Sequence, residues 1–108
     1  MIKKLYYKNK VIAEIYLADT FIKRFLGYMF QKQPKYKSIA ICPCNSIHTF
    51  FMKFNLDVLF VNDEMKVIKK ISDLKPGKTI FPVKEAKMVI EAKTGTFCNL
   101  AEGDFIKF

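Results

Sequence analysis

The chain has no tryptophan, one histidine, three cysteines, and only four glycines and four prolines in 108 residues. Each shortage excludes something. With so little Gly and Pro there is no flexible linker and no low-complexity tract, and no internal repeat is visible. Three cysteines, two of them in "CPC" at Cys42 and Cys44, make a poor disulfide framework, and a bridge within that tripeptide would close a strained ring. Reduced thiols are expected. Apolar runs are short, as in the four residues 58–61, whereas a membrane helix needs about 20. The N-terminal residues lack the roughly 7–15-residue apolar run and small-residue cleavage site of a secretory signal. The expectation is a cytoplasmic protein without a membrane span.

What is present suits one packed domain spanning residues 1–108. Half the residues are apolar (51%) and 15% aromatic, with eleven Phe, which excludes a disordered chain. A chain of this size has room for one core. The net charge is +9 and lies unevenly. Residues 1–37 carry nine Lys/Arg against Glu14 and Asp19, a net +7, and residues 38–108 carry ten against eight, a net +2. Such a balance attracts an acidic partner: nucleic acid, an anionic surface or an acidic protein. Only Arg24 among the basic residues is Arg, and readout of phosphates and bases favours the planar fork of Arg. Nucleic acid is therefore not the favoured partner, and lysine as plain surface solvation accounts for the charge.

The pattern reads as mainly β: a compact sandwich or partly open barrel of seven to eight short strands. Residues 2–7 and 11–17 form a hairpin turning at Asn9. Residues 39–42, "HTFFMK", "DVLFV", "KVIKKISDL", "KMVIEAK" and 105–108 supply further strands, with turns at Asn62-Asp63, Pro76-Gly77, 94–97 and Gly103-Asp104. One short helix is expected near residues 20–26. There Phe21, Ile22, Phe25 and Leu26 form an apolar stripe, Asp19 or Thr20 caps the start and Gly27 ends it. With one helix, a sheet built of parallel βαβ units is not expected.

Together, "LADTFIKRFLGYMF", "HTFFMKFNLDVLFVND", a Pro-containing turn, "MVIEAKTG" and "LAEGDFIKF" resemble the domain of unknown function 192 family, from about Ala13 to Phe108. The most specific piece is aromatic-x-Met-Lys, a short insert, then Leu-Asp-x-x-Phe, on Phe50, Met52, Lys53, Leu56, Asp57 and Phe60. Ile90, Glu91 and Gly95 match a later pattern, and Gly103-Asp104 a terminal one. Asn55-Leu56 departs from it, because many members carry Pro there. The resemblance implies a compact, mainly β domain and no particular reaction.

His48, Lys53 and Asp57 are the polar group set in this apolar centre. Their odd separation places His48 and Lys53 on opposite faces if one strand holds both. A hydrolytic triad lacks a nucleophile, since Thr49 faces away from His48 and Ser46 has no elbow context. Asp57 suits a structural role, either accepting backbone N–H groups after a turn or pairing with Lys53. Glu91 is either solvent-facing on a half-buried strand or a carboxylate closing a network near Asp57. Cys42, Cys44, His48 and Cys98 would offer four zinc ligands, but a single intervening Pro43 gives the wrong spacing. Neither a metal nor another cofactor is expected. The leading reading is a non-catalytic binding or accessory module whose ligand-pocket candidates are His48, Thr49, Lys53, Asp57 and Glu91. One alternative is an enzyme using His48 and Asp57. Another is a weak nucleic-acid or anionic-surface binder acting through the basic hairpin "KKLYYKNK".

Overall fold

In the first hairpin, Lys8 and Asn9 both adopt positive φ (52° and 63°). That is a two-residue turn whose twist suits the flanking strands β1 (Ile2–Tyr7) and β2 (Lys10–Ala18). The computed structural model describes residues 2–18, 31–33 and 36–108. Among them the further strands are β3 (Ser38–Ile41), β4 (Ile47–His48), β5 (Leu56–Val61), β6 (Val67–Leu74), β7 (Thr79–Ile80) and β8 (Met88–Lys93). The expected helix near residues 20–26 lies outside the described residues. Among the described residues no helix is long and apolar enough to cross a membrane.

Six strands form one sheet in the order β1-β2-β3-β8-β5-β6, and β4 and β7 form a separate two-stranded ribbon. Neighbours in the large sheet run antiparallel except β2 and β3, which are parallel with Tyr16 opposite Ile39 and Ala18 opposite Ile41. The sheet is therefore mixed, although no run of βαβ units builds it. β3, β5 and β8 are buried on both faces, which their largely apolar composition requires.

The edges of the sheet are closed by the C-terminal residues. Val67 N–H donates to Asp104 C=O (2.8 Å) and Ile106 N–H to Met65 C=O (2.9 Å) at the start of β6. Tyr6 in β1 and Lys107 exchange both of their main-chain bonds (2.8 and 3.1 Å). One short segment thus pairs with both edge strands, and the sheet curls into a partly open barrel. Exposed edges would otherwise invite pairing with other chains. All six strands and the tail contribute to the interior: Leu5, Ile15, Ala40, Leu59, Val61, Val67, Ile90, Ala92 and Ile106, with Phe97 and Leu100 plugging it.

A second cluster lies on the outer face of the same sheet. Ile39, Ile41, Val58, Phe60 and Val89 meet Ile47 of the ribbon, Met52 and Ala86 there. The ribbon thus covers one side of the barrel. The expected strand "HTFFMK" is cut short after His48. Met52 N–H donates to Thr49 C=O (3.2 Å) and Phe51 takes φ 65°, closing a turn. His48 and Lys53 are therefore not on one strand.

Deleting residues 104–108 removes the carbonyl acceptors of the Tyr6 and Val67 amides. Hydrogen exchange is expected to show those two amides losing protection while Leu59 and Ile90 keep it. Unchanged protection at Tyr6 and Val67 would contradict closure by the tail.

Candidate functional site

Asp57 lies on β5 with Leu59 and Val61, on the face turned to the barrel interior, and is 3% exposed. Its Oδ1 accepts the Asp73 N–H (2.9 Å) and its Oδ2 the Gly95 N–H (2.8 Å). The donors arise where the chain departs from regular pairing. Asp73 sits at an irregularity of the β5–β6 register with φ 57°, and Gly95 takes φ 95° in the turn after β8. Neither N–H has a ladder partner in such a conformation, and an anion is the strongest acceptor for it. The Asp73 side chain extends the knot, accepting from Asn55 Nδ2 (2.9 Å) and Thr94 Oγ1 (3.3 Å). Asp57 therefore ties β5, β6 and the β8 turn together over long sequence distances, and it does so without Lys53, which is exposed.

A lysine secures the same turn. Lys70 Nζ donates to the carbonyls of Phe97 and Leu100, both at 2.7 Å, and its main-chain N–H donates to Glu102 Oε2 (3.1 Å). The run "KVIKKISDL" gave no signal for this role, because the carbonyls come from a turn almost thirty residues away.

Glu91 stands on the other side of the sheet. Asp57 is opposite Ala92, so Glu91, opposite Val58, points to the outer face. Across the strands the register makes one row of Tyr16, Ile39, Glu91, Val58 and Ile71. Glu91 is 2% exposed in this row, and burial pushes its carboxyl up from 4.5 to about 7. Of the two readings offered for Glu91, the solvent-facing one fails, because β8 is an inner strand covered on both sides. Nor does Glu91 face Asp57.

The third element is the ribbon. Ile47 and Ile80 point inward onto the outer cluster, so alternation sends His48 on one strand and Thr79 on the other outward, and Phe50 and Phe81 beside them are exposed. His48 and Phe50 rings stack at 5.2 Å and 25°. Thr49, 1% exposed, fixes the ribbon to the next turn. Its Oγ1 donates to Lys75 C=O (2.7 Å) and accepts the Lys78 N–H (2.8 Å). Its main chain bonds Lys78 C=O (2.8 Å) and Gly77 N–H (2.9 Å).

The structure therefore separates the five candidates. His48 and Thr49 share the ribbon on opposite faces, Lys53 lies beyond the 49–52 turn, and Asp57 and Glu91 occupy opposite faces of the main sheet. The proposed zinc set does not assemble: among the described residues no three His, Cys, Asp or Glu side chains are placed to share a metal. Cys42 and Cys98 are exposed, and the Cys44 thiol donates to Ser46 C=O (3.0 Å). The sequence analysis did not single out Phe81, which is 80% exposed and follows a strand of only two residues.

The family model DUF192, described as uncharacterized, matches residues 4–108. A UPF0127 protein of Pyrococcus furiosus is 39% identical over 92 residues, 81% of this chain and 78% of its own. One of Pyrococcus horikoshii is 39% identical over 88 residues, covering 77% and 75%. A solved protein of unknown function from Novosphingobium aromaticivorans superposes at TM-score 0.80 over 99% of this chain and 85% of its own, with 16% identity. At that identity the likeness is one of fold.

Asp57→Ala leaves two N–H groups without their anion, and urea unfolding is expected to show a loss of about 2–4 kcal/mol. A loss below about 1 kcal/mol would contradict the clamp. For Glu91, the folded carboxyl holds its proton up to about pH 7 while the unfolded one releases it near 4.5. The contribution of Glu91 to stability is therefore full below about pH 4.5 and is lost as pH rises to about 7. The two values differ by about 2.5, which at about 1.4 kcal/mol per pH unit is about 3.5 kcal/mol. Glu91→Gln is expected to flatten that decline; an unchanged slope between pH 4.5 and 7 would contradict it.

Proposed function

The chain belongs to the DUF192 family of uncharacterised proteins, and from that premise we propose that it is a non-catalytic binding module. It holds an acidic partner on the outward face of the β4–β7 ribbon. The observation that carries this reading is a set of aromatic rings turned to solvent: Phe50 is 44%, Phe51 62% and Phe81 80% exposed. Burying such a side chain fully is worth about 1.5–3 kcal/mol, so leaving three of them in water forfeits stability that a bound partner recovers. Phe51 also holds a left-handed backbone, φ 65°, which disfavours a bulky residue by roughly 1–3 kcal/mol. Strain that displays a ring to solvent supports a binding role for it.

Charge selects the partner. Residues 46–53 and 75–87 carry Lys53, Lys75, Lys78, Lys84 and Lys87 against Glu85, and all five lysines are exposed. The carboxylates of Asp57 and Glu91 lie elsewhere, one in its clamp and one within the outer cluster, so they do not repel an anion from this face. The basic N-terminal hairpin is a weaker candidate. Tyr6 and Tyr7 are half-buried, and Lys8 Nζ lies 5.3 Å from the centre of the Tyr7 ring.

Heparin, a generic polyanion, tests the location. The combined change of Lys53, Lys75 and Lys78 to Gln is expected to lower the eluting salt by about 100 mM or more. The same change at Lys3, Lys4 and Lys8 is expected to lower it less. The reverse order would move the site to the hairpin, and no retention of the unaltered protein would sink the reading.

A further inference from the structure

We infer that the outward face of the β4–β7 ribbon is a stacking platform for single-stranded nucleic acid, an inference that rests on the binding reading above and names its partner. The antiparallel register puts His48 opposite Thr79 and Ile47 opposite Ile80. Phe81 is thus the diagonal neighbour of His48 on the same face, within reach of a large side chain. Phe50 stacks on His48, Phe81 lies diagonally from it across the ribbon, and Phe51 is exposed in the turn that follows Phe50. The His48 and Phe50 rings are already near-parallel at 5.2 Å and 25°, the arrangement in which a further planar ring adds to the row. Ser46 and Thr79 stand between the aromatics on this face, and exposed Lys75 and Lys78 flank one end with Lys84 beyond the other.

This mixture fits a single strand better than a lipid surface. Insertion into lipid would strip water from the hydroxyls of Ser46 and Thr79 with no lipid group to replace it. Unpaired bases need only the ring faces, leaving the hydroxyls to base edges and the lysines to phosphates. Duplex readout is disfavoured because Arg24, the sole Arg, lies outside the ribbon sequence. The platform is rigid: Thr49 locks β4 to the 75–78 turn, and Ile47 anchors the underside. Preorganised rings lose little entropy when bases stack on them.

The test compares two fluorescein-labelled strands of about fifteen nucleotides. One is oligothymidine and the other is abasic, with the same backbone charge, and anisotropy is read at low salt. Oligothymidine is expected to bind at least about tenfold tighter. Phe50→Ala and Phe81→Ala, both at exposed positions, should each weaken that binding roughly 5- to 100-fold and leave the abasic strand unaffected. Equal affinity for the two strands, or no effect of either substitution, would overturn stacking and leave the acidic-partner reading standing if heparin is still held. Phe-dependent binding to phosphatidylserine–phosphatidylcholine vesicles with no preference for oligothymidine would also overturn it, in favour of lipid. Failure to bind heparin as well as both strands would remove the binding reading itself.

Discussion

A buried carboxylate has to be satisfied, and the way Asp57 is satisfied orders much of this molecule. Its two oxygens meet two main-chain N–H groups from segments 16 and 38 residues away. Both donors sit in left-handed backbone, at Asp73 and Gly95, where the regular ladder offers no acceptor. One side chain thus pins the irregularity in β6 and the exit from β8 to the neighbouring strand β5. That pinning keeps Leu59 and Val61 inside and Val58 and Phe60 outside, because a one-residue slip in β5 would exchange the two sets. It also explains why a charge can sit in a 3% exposed position: each oxygen has exchanged water for an amide.

With the register fixed, the sheet presents two apolar faces and must cover both. The inner face is covered by the sheet itself, curled until the C-terminal residues pair with β1 and β6. The outer face is covered in part by the β4–β7 ribbon, which commits Ile47 and Ile80 to that contact and has its other side left over. Glu91 is the exception in the outer layer. It lies in one row with Tyr16, Ile39, Val58 and Ile71, and its carboxyl resists ionisation until about pH 7, a cost that an apolar residue of similar volume would not incur. The two family-pattern carboxylates are therefore not a pair. They lie back to back across one strand layer, one clamping backbone and one buried, and the surface rich in exposed aromatics is a third place.

Much of the framework was legible from the residues. Runs of branched and aromatic residues located β2, β5, β6 and β8, and Asn9, Asn62 and Pro76-Gly77 marked turns, because those signals act within a few residues. Asn62 shows how local they are: its Oδ1 accepts the N–H groups of Glu64 and Lys66, both at 3.0 Å. Long-range events were hidden. The parallel pairing of β2 with β3, the two-residue strand β7 and the turn that cuts "HTFFMK" after His48 depend on partners far along the chain. So do the donors to Asp57, the carbonyls held by Lys70 and the grip of Thr49 on Lys75 and Lys78. Glu91 stayed open between two readings for a related reason: whether Val89-Glu91-Lys93 faces water depends on what lies over β8, and alternation within the strand cannot report that.

If function resides on the ribbon while the buried carboxylates serve the fold, a bound strand must perturb the first and spare the second. Amide chemical shifts of the isotopically labelled chain, followed as oligothymidine is added, test that division most directly. The predicted result is that the largest changes fall on residues 46–51 and 78–81, with Asp57, Asp73, Glu91 and Gly95 nearly unmoved. Changes centred on Gly95 and Asp73, or on the row from Tyr16 to Ile71, would contradict it.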